Sequence, residues 1–289
     1  MINLSLLILS IVLSTGRNIL SKNLSDIRFG TRRFFLCQSI LFLCGGAALV
    51  TFGKISFDGV ALSTVGYAVS YGALLILAQW FYTAALAKGN TALCSTVYSL
   101  GFIFPTLSGA FFWSEPFSVL DALGIVCAAA AVVSSGLNSK SETKTVKAYY
   151  FLPLIIAMLA SGGLGIVQKL QQKSAYAEQK SVFLFTAFML AAAASLLVAA
   201  FSKKENVPSF STKKLSISAG IGICFGCCNL LNTTLAGRLP SAVFFPTLNI
   251  GVILLSMLCG LMLFKEKLSK KDITVLILGG ISILLLNLG

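Results

Sequence analysis

Residues 96–121, TVYSLGFIFPTLSGAFFWSEPFSVLD, recur in thinned form at residues 247–272, TLNIGVILLSMLCGLMLFKEKLSKKD. Six positions are identical at a constant offset of 151 residues, namely Thr96 and Thr247, Leu107 and Leu258, Gly109 and Gly260, Glu115 and Glu266, Ser118 and Ser269, and Asp121 and Asp272. Three of these pairs, those of Glu, Ser and Asp, are polar residues at the junction between two predicted helices, and a shared apolar composition supplies such matches less readily. Both blocks predict an apolar helix, a short turn that carries Glu, and Ser-x-x-Asp at the start of a second apolar helix. The recurrence indicates a chain built from two copies of one unit.

The composition of the chain excludes most classes of soluble protein. Of its 289 residues, 57% are hydrophobic and 11% are charged, whereas soluble domains are about a quarter charged. Apolar runs of about 20 residues recur, which is long enough for a helix to cross a bilayer. The runs are continuous and do not alternate, so a transmembrane barrel is excluded. Because the chain has no His and its cysteines lie inside apolar runs, we expect no metal site and no cofactor.

The hydropathy pattern predicts an all-α membrane protein with ten transmembrane helices. The predicted spans are approximately 2–21, 34–52, 62–86, 91–113, 119–137, 149–170, 181–201, 215–235, 241–263 and 273–288. A polar segment rich in Ser, Thr and Lys separates span five from span six. The chain therefore divides into a first five-helix repeat at 1–138, a linker at 139–148 and a second five-helix repeat at 149–289.

The start of each half also repeats, at an offset of 147 residues. The matching positions are Ser14 and Ser161, Gly16 and Gly163, Ile19 and Ile166, and Lys22 and Lys169. Because each half has an odd number of spans, the second half enters the membrane in the opposite orientation. The halves are therefore predicted to be inverted repeats, which usually place a substrate site at the bilayer midplane between them.

The distribution of Lys and Arg predicts the orientation. Of the 22 basic residues, 17 fall near connections on one side, and the other five are Lys54, Lys169, Lys173, Lys180 and Arg238. The positive-inside rule assigns the heavier side to the cytoplasm and both termini to the outside. We expect the protein in the plasma or inner membrane of the cell, in contact with lipid. The net charge of +13 reflects this topology, and no nucleic-acid partner is expected.

All nine acidic residues fall in predicted connections or at predicted helix ends. Ser118 and Ser269 are expected to cap helices at the water interface, with Asp121 and Asp272 in the first turns. Glu115 and its equivalent in the second block are expected to be solvated or capping. No carboxylate is expected to be buried in the membrane, where proton-coupled carriers usually keep one. This pattern favours facilitated diffusion, exchange, or coupling through an acid at a helix end.

The first span carries a polar stripe. Ser10, Ser14, Arg17 and Ser21 are spaced four, three and four residues apart, so they share one side of a helix. The stripe is expected to face a water-filled cavity, where the guanidinium of Arg17 suits a carboxylate or phosphate. Alternatively, Arg17 lies near the end of the span and extends to the lipid headgroups. Substrate-binding candidates in this span are Ser14, Arg17 and Asn18.

Other spans contain further polar residues that are candidates for substrate binding. They are Tyr71, Gln79 and Tyr82 in span three, Tyr98 and Ser99 in span four, Asn229 and Asn232 in span eight, and Asn249 in span nine. Tyr98 and Asn249 are equivalent at the offset of 151 residues, which suggests a shared central pocket. The alternative for each residue is an interhelical hydrogen bond, which polar side chains also form in membranes.

The motifs described above resemble a known family. Pro246 to Asn249, followed by Leu258 to Ser269, is similar to the end of an EamA-type domain. Gly109 with the Trp-Ser-Glu-Pro turn is similar as well, and Ser14 to Asn18 lies where members often have a Trp-Gly pair. The resemblance implies the drug/metabolite transporter superfamily, with two EamA domains and alternating access. Its known substrates include amino acids, other metabolites, nucleotide sugars and toxic cations.

We therefore expect a multi-pass transporter, monomeric or homodimeric, that moves a small polar metabolite by alternating access around a midplane pocket. An amino acid or an organic anion is favoured as substrate, without a buried carboxylate proton site. The alternatives are an exporter of drugs or toxic cations and, in a different class, a membrane-embedded enzyme. We expect no enzymatic activity, because the chain lacks His and has no acid predicted at membrane depth.

Overall fold

The computed structural model describes residues 2–21, 24, 31–86, 91–137, 151–202, 212–264 and 270–289, and these residues contain no β-strand. They form eleven α-helices, namely α1 (Ile2–Ser21), α2 (Arg32–Gly53), α3 (Leu62–Leu86), α4 (Thr91–Ser99), α5 (Ile103–Trp113), α6 (Val119–Leu137), α7 (Phe151–Lys173), α8 (Lys180–Phe201), α9 (Thr212–Arg238), α10 (Ser241–Phe264) and α11 (Lys270–Leu288). Two short 3₁₀-helices, Leu100–Phe102 and Ala177–Gln179, precede α5 and α8.

The helices have the length and composition of membrane spans. Eight segments are long and apolar enough to cross a bilayer, and the apolar parts of α6 and α11 are shorter. Large apolar side chains also project outward, as for Leu62, which is 87% exposed, and Phe111, which is 79% exposed. Such side chains suit a lipid environment. The helices therefore indicate a membrane-embedded, multi-pass protein, and the prediction of an all-helical fold is confirmed for the described residues.

The chain forms two compact units. Unit 1 comprises Met1–Ile76 and Val167–Gly237, and unit 2 comprises Leu77–Ile166 and Arg238–Gly289. The boundaries fall inside α3 and α7. Each unit contains residues from both predicted repeats. The repeats and the units therefore divide the chain differently, since the repeats are defined by sequence equivalence and the units by contacts in the structure. The duplication and its inversion stay predictions.

Unit 1 is built around close contacts of α2 with α8 and α9. Phe42 of α2 meets Phe188 of α8 edge to face, with 5.9 Å between ring centroids. A Cβ atom on Gly222 or Gly226 of α9 would overlap the carbonyl oxygen of Leu41 or Gly45 in α2. These positions therefore require glycine, because the two helix backbones touch there.

Gln179 links two connections of unit 1. Its Oε1 accepts hydrogen bonds from the backbone N–H of Ala61 at 3.1 Å and from the hydroxyl of Thr64 at 2.7 Å. Its Nε2 donates to the carbonyl of Gly59 at 3.0 Å. The side chain of Gln179, which lies just before α8, thus provides a hydrogen-bond acceptor for the start of α3.

In unit 2, α6 packs along α11. The hydroxyl of Ser282 donates to the carbonyl of Gly124 at 2.8 Å. A Cβ atom on Gly124 would lie 2.7 Å from the side chain of Leu286. The absence of a side chain at Gly124 therefore allows the close approach of these two helices.

The segment predicted as one continuous span at 91–113 contains a 3₁₀ turn, called the interruption below, and the residues that flank this turn keep right-handed helical angles. It consists of α4, one 3₁₀ turn and α5. Gly101 lies in this turn, where an added Cβ would be 2.7 Å from the carbonyl oxygen of Met158. Pro105 follows four residues later, so the carbonyl of Gly101 lacks an i+4 backbone donor. The interruption thus falls where close backbone packing and a proline coincide.

Candidate functional site

A group of buried polar contacts in unit 1 joins α3, α7 and α9. The hydroxyl of Tyr71 donates to Oδ1 of Asn229. Nε2 of Gln168 donates to the Tyr71 hydroxyl at 2.9 Å and to Oδ1 of Asn229 at 3.3 Å. Tyr71 is 1% exposed, and Gln168 and Asn229 are each 5% exposed. These three residues, called the polar cluster below, lie at least one turn inside their helices.

The surroundings of the polar cluster fix the orientation of its side chains. The Tyr71 ring meets the ring of Phe183 at a centroid distance of 5.1 Å. Nδ2 of Asn229 donates to the carbonyl of Phe225, one turn earlier in α9, at 2.8 Å. The amide oxygen of Asn229 is therefore left as the acceptor for Tyr71 and Gln168. The cluster offers uncharged donors and acceptors, the chemistry that recognises polar groups of a small molecule.

The polar stripe of α1 also contacts α9. The Ser10 hydroxyl donates to Oδ1 of Asn232, and the Ser14 hydroxyl is 3.4 Å from Sγ of Cys228. Ser10, Ser14 and Arg17 thus lie on one face of α1, as their spacing predicted, and this face packs against α9. The candidate Asn18 and the last residue of the stripe, Ser21, are exposed.

Arg17 is half-buried, and its guanidinium carbon lies 4.7 Å from the centroid of the Phe225 ring. The same ring contacts Phe42 and Phe188, at centroid distances of 6.4 Å and 5.3 Å. A cation over an aromatic face is stabilised by about 0.5–2 kcal/mol, depending on how far it is desolvated. Arg17 is therefore held against the aromatic core of unit 1.

The candidate residues of unit 2 are half-buried. Tyr82 and Tyr98 pack with ring centroids 4.5 Å apart and planes at 39°. Tyr98 and Ser99 immediately precede the 3₁₀ interruption. In α10, Nδ2 of Asn249 donates to the carbonyl of Phe245 at 3.1 Å. The main-chain oxygen of Gln79, the fifth candidate in this unit, accepts from the Thr83 hydroxyl at 2.6 Å. The role of these candidates in binding stays a prediction.

The sequence reasoning missed two buried polar residues of unit 1, Gln168 and Lys169. Gln168 belongs to the polar cluster, and Lys169 is 0% exposed. Span six, predicted to end at residue 170, continues as α7 to Lys173, so Lys169 lies four residues before the end of the helix. The predicted orientation stays a prediction. The available signal was the helical pattern of Gln168, Gln171 and Gln172, which carries α7 past residue 170.

Thr233, which is also 0% exposed, lies between two contacts of α7 with α9. The first contact is the Gln168–Asn229 hydrogen bond. At the second, a Cβ on Gly237 would be 2.8 Å from Oε1 of Gln172. Thr233 is four residues from both α9 positions, so helical periodicity places its side chain at the α7–α9 interface. Lys169 directly follows Gln168, and adjacent residues of a helix do not share a face.

The two acidic residues of unit 2 whose side chains are described, Glu115 and Asp121, bond the starts of helices. The N–H of Asp121 donates to the Ser118 hydroxyl at 3.0 Å, and the N–H of Ser118 donates to the Asp121 carboxylate at 2.8 Å. This reciprocal capping box confirms the predicted capping at α6. The N–H of Ser241, the first residue of α10, donates to Oε2 of Glu115 at 2.7 Å. These three residues, Glu115, Ser118 and Asp121, are called the helix junction below.

The prediction that Asp121 caps its helix at the water interface needs one correction. Asp121 is 4% exposed, because residues of unit 2 cover the start of α6. A cavity of about 70 Å³ lies beside it and is lined by Pro116, Asp121, Pro240, Ala242, Val243 and Gly289. Small-molecule sites are usually about 300 Å³ or larger, so this cavity does not accommodate a metabolite. The second-repeat equivalents Glu266, Ser269 and Asp272 lie outside the residues whose side chains are described.

Comparisons with known proteins define the fold and no family. No protein-family model matches the chain, and no curated protein matches it. A crystal structure of another protein is similar over 98% of this chain and 95% of its own, with a TM-score of 0.78 and 16% sequence identity. At this identity, the likeness extends to the fold alone.

Proposed function

We propose that this protein is a membrane carrier for a small polar metabolite, with the polar cluster of unit 1 as part of its substrate site. The polar cluster carries the proposal. Three polar side chains bond one another inside helices of membrane-spanning character, where polar groups are usually kept for helix association or for function. A purely structural hydrogen bond needs two partners, whereas Tyr71, Gln168 and Asn229 bring together three helices.

The interruption between α4 and α5 supports a carrier as well. A short 3₁₀ stretch inside a longer helix often marks a functional hinge. The candidates Tyr98 and Ser99 flank the interruption. The proposed mechanism is alternating access, in which the two halves of the chain rock around a midplane pocket.

The pairing of helices supports the proposed inverted repeat. The first predicted repeat contains α2 and α6, and their equivalents in the second are α8 and α11. In unit 1, α2 packs along α8, and in unit 2, α6 packs along α11. A pseudo-two-fold axis in the membrane brings equivalent elements together in this way. We propose membership of the drug/metabolite transporter superfamily on the sequence resemblance and this pairing.

The proposed carrier works without a proton-binding carboxylate at membrane depth. Of the acids whose side chains are described, Asp58 and Glu178 are exposed in connections. Glu115 and Asp121 are engaged at the starts of helices. Facilitated diffusion or exchange is therefore the proposed mode of transport. We propose the limiting membrane of the cell as its location, with both termini outside.

The test is transport by purified protein in liposomes, measured as counterflow across a panel of amino acids, organic acids, sugars, nucleotides and organic cations. A Tyr71→Phe variant, which removes one hydroxyl from the polar cluster, should reduce saturable uptake about tenfold. Ser70→Ala is the matched control, because the neighbouring Ser70 is exposed and bonds only the carbonyl of Gly66 among the described contacts. The absence of saturable flux for every solute would refute the proposal.

A further inference from the structure

We propose that Arg17 binds an anionic group of the substrate, a carboxylate or a phosphate, at mid-depth of the membrane. The inference rests on the proposed carrier function and narrows its substrate class to small anions. The sequence left two alternatives for Arg17, a cavity or the lipid headgroups. The contacts of its guanidinium distinguish them, because they fix the depth of the charge.

The ring beneath Arg17 lies halfway along its helix. Phe225 is the middle residue of the 27-residue helix α9, and its ring contacts Phe42 and Phe188, which lie near the middles of the 22-residue helices α2 and α8. Basic residues stand at both ends of α2 and α9, as is usual where helices leave a bilayer. All three helices are long enough to cross one. The guanidinium carbon of Arg17, 4.7 Å from the centroid of the Phe225 ring, therefore lies near mid-depth and far from the headgroups.

The charge of Arg17 is not neutralised in the described part of the chain. Among those residues, no carboxylate and no hydrogen-bond acceptor contacts its guanidinium, and the acids described in unit 1, Asp58 and Glu178, are exposed between helices. The contact with the Phe225 ring provides no acceptor oxygen, so the N–H donors stay available to a ligand. A charged side chain inside a membrane is costly and is usually functional.

The polar cluster lies next to this charge on α9. Arg17 contacts Phe225 and Ser10 bonds Asn232, so α1 meets α9 on both sides of Asn229. These three α9 residues are spaced four and three positions apart and share one face of the helix. Nδ2 of Asn229 also donates to the carbonyl of Phe225 at 2.8 Å. A substrate whose anionic group binds Arg17 thus has the polar cluster about one helical turn, or roughly 5 Å, away.

The chemistry of Arg17 selects the substrate class. A planar guanidinium presents parallel N–H donors that match the two oxygens of a carboxylate or a phosphate. The Phe225 ring holds the guanidinium in one place, as a preorganised site requires. A cationic substrate would meet like charge here, whereas an anion gains charge-assisted hydrogen bonds. Export of organic cations is therefore disfavoured.

The experiment compares anionic and neutral ligands of the same shape. Purified parent protein and the variants Arg17→Gln and Arg238→Gln are titrated with succinate, succinamide and inorganic phosphate. Melting shifts, each measured from the variant's own ligand-free melting temperature, give half-saturating concentrations. Arg17→Gln should weaken binding of the preferred anion about 10- to 100-fold and change succinamide binding by less than about twofold. Arg238 is the matched control, because it is an exposed arginine at the end of α9. Preference between succinate and phosphate distinguishes the two kinds of anion.

The outcomes separate this inference from the carrier function. Equal anion binding by the parent and Arg17→Gln, or equal weakening by Arg17→Gln and Arg238→Gln, would overturn the role of Arg17. Binding and transport of neutral solutes, with no response to anions, would overturn the anionic class and leave the carrier function intact. No binding and no transport for any solute would overturn both.

A second variant applies if Arg17→Gln does not fold. Arg17→Lys keeps the charge but replaces the planar fork with a point charge, so bidentate hydrogen bonding is lost. Binding of the preferred anion should weaken about 3- to 10-fold, and succinamide binding should stay the same. Unchanged anion binding by Arg17→Lys would overturn the proposed contact.

Discussion

The polar cluster of unit 1 and the helix junction of unit 2 both place polar side chains among apolar helices, yet they bond different partners. Tyr71, Gln168 and Asn229 bond one another within their helices. Members of the helix junction bond backbone N–H groups at helix starts. Helix starts have unsatisfied N–H groups in any fold, so the junction is explained by stability. The interior of a helix has no such requirement, and our proposal therefore assigns the cluster to substrate binding.

The largest effect is expected at the helix junction. A Cβ on Gly109 would lie 2.6 Å from Cβ of Ser241 and would overlap the Glu115 carboxylate. Gly109→Ala should therefore displace the cap of α10 and lower the free energy of unfolding by about 3 kcal/mol. Denaturant titration in detergent measures this loss.

Gly66→Ala is the control for that substitution, because no atom lies within 4 Å of its added Cβ. An alanine in that exposed helical position should be neutral or slightly stabilising. Equal stability of the two alanine variants would show that the junction is not tightly packed. The helix junction could then no longer be explained by its contribution to stability.

The second effect is expected on transport and not on stability. Gln168→Leu removes the donor to Tyr71 and Asn229, which keep their mutual hydrogen bond. Because the Tyr71 hydroxyl and Oδ1 of Asn229 still bond each other, neither is left unpaired, so the unfolding free energy should change by less than about 1 kcal/mol. Uptake in liposomes should fall about tenfold, because the substrate loses a polar partner. A large loss of stability with unchanged uptake would make the cluster structural.

The third prediction concerns the capping box. Ser118→Ala removes the acceptor of the Asp121 N–H and should lower the free energy of unfolding by about 1 kcal/mol. The half-saturating concentration for transport should stay unchanged, because the box contacts backbone only among the described partners. Ser118→Thr, which keeps the hydroxyl, should retain most of the stability. A change in substrate affinity for Ser118→Ala would link the junction to the site.

The smallest effect is expected where α1 meets α9. Phe225→Leu keeps an apolar side chain but removes the ring beneath Arg17, so about 0.5–1 kcal/mol of stability should be lost. A double-mutant cycle with Arg17→Gln measures the coupling of the two residues. A coupling near zero would show that Arg17 is held by other contacts.

The sequence predicted the helices better than it predicted the site. Apolar runs set the helix positions because membrane spans need about 20 such residues, and Ser118 with Asp121 was readable because capping is local. The interruption at Leu100–Phe102 was not predicted, since it depends on packing of Gly101 against another helix. Lys169 was missed because it lies near the end of a predicted span, and the depth of a charge there depends on tertiary contacts. The binding role of the polar candidates stays a prediction, and their hydrogen-bond partners could be identified only from the fold.

The hydrogen bonds of Gln179 to Gly59, Ala61 and Thr64 have a consequence for the path of the chain. Because this side chain spans only a few ångströms, residues 61 and 179 lie on the same side of the membrane. The polypeptide between them must therefore cross the bilayer an even number of times. The helices described between these residues are α3, α4, α5, α6 and α7. They give an even number of crossings, four, only if α4 and α5 together cross the membrane once. The hydrogen bonds of Gln179 therefore indicate that α4 and α5 form a single crossing. They also require α3 and α8 to enter the membrane in the same direction.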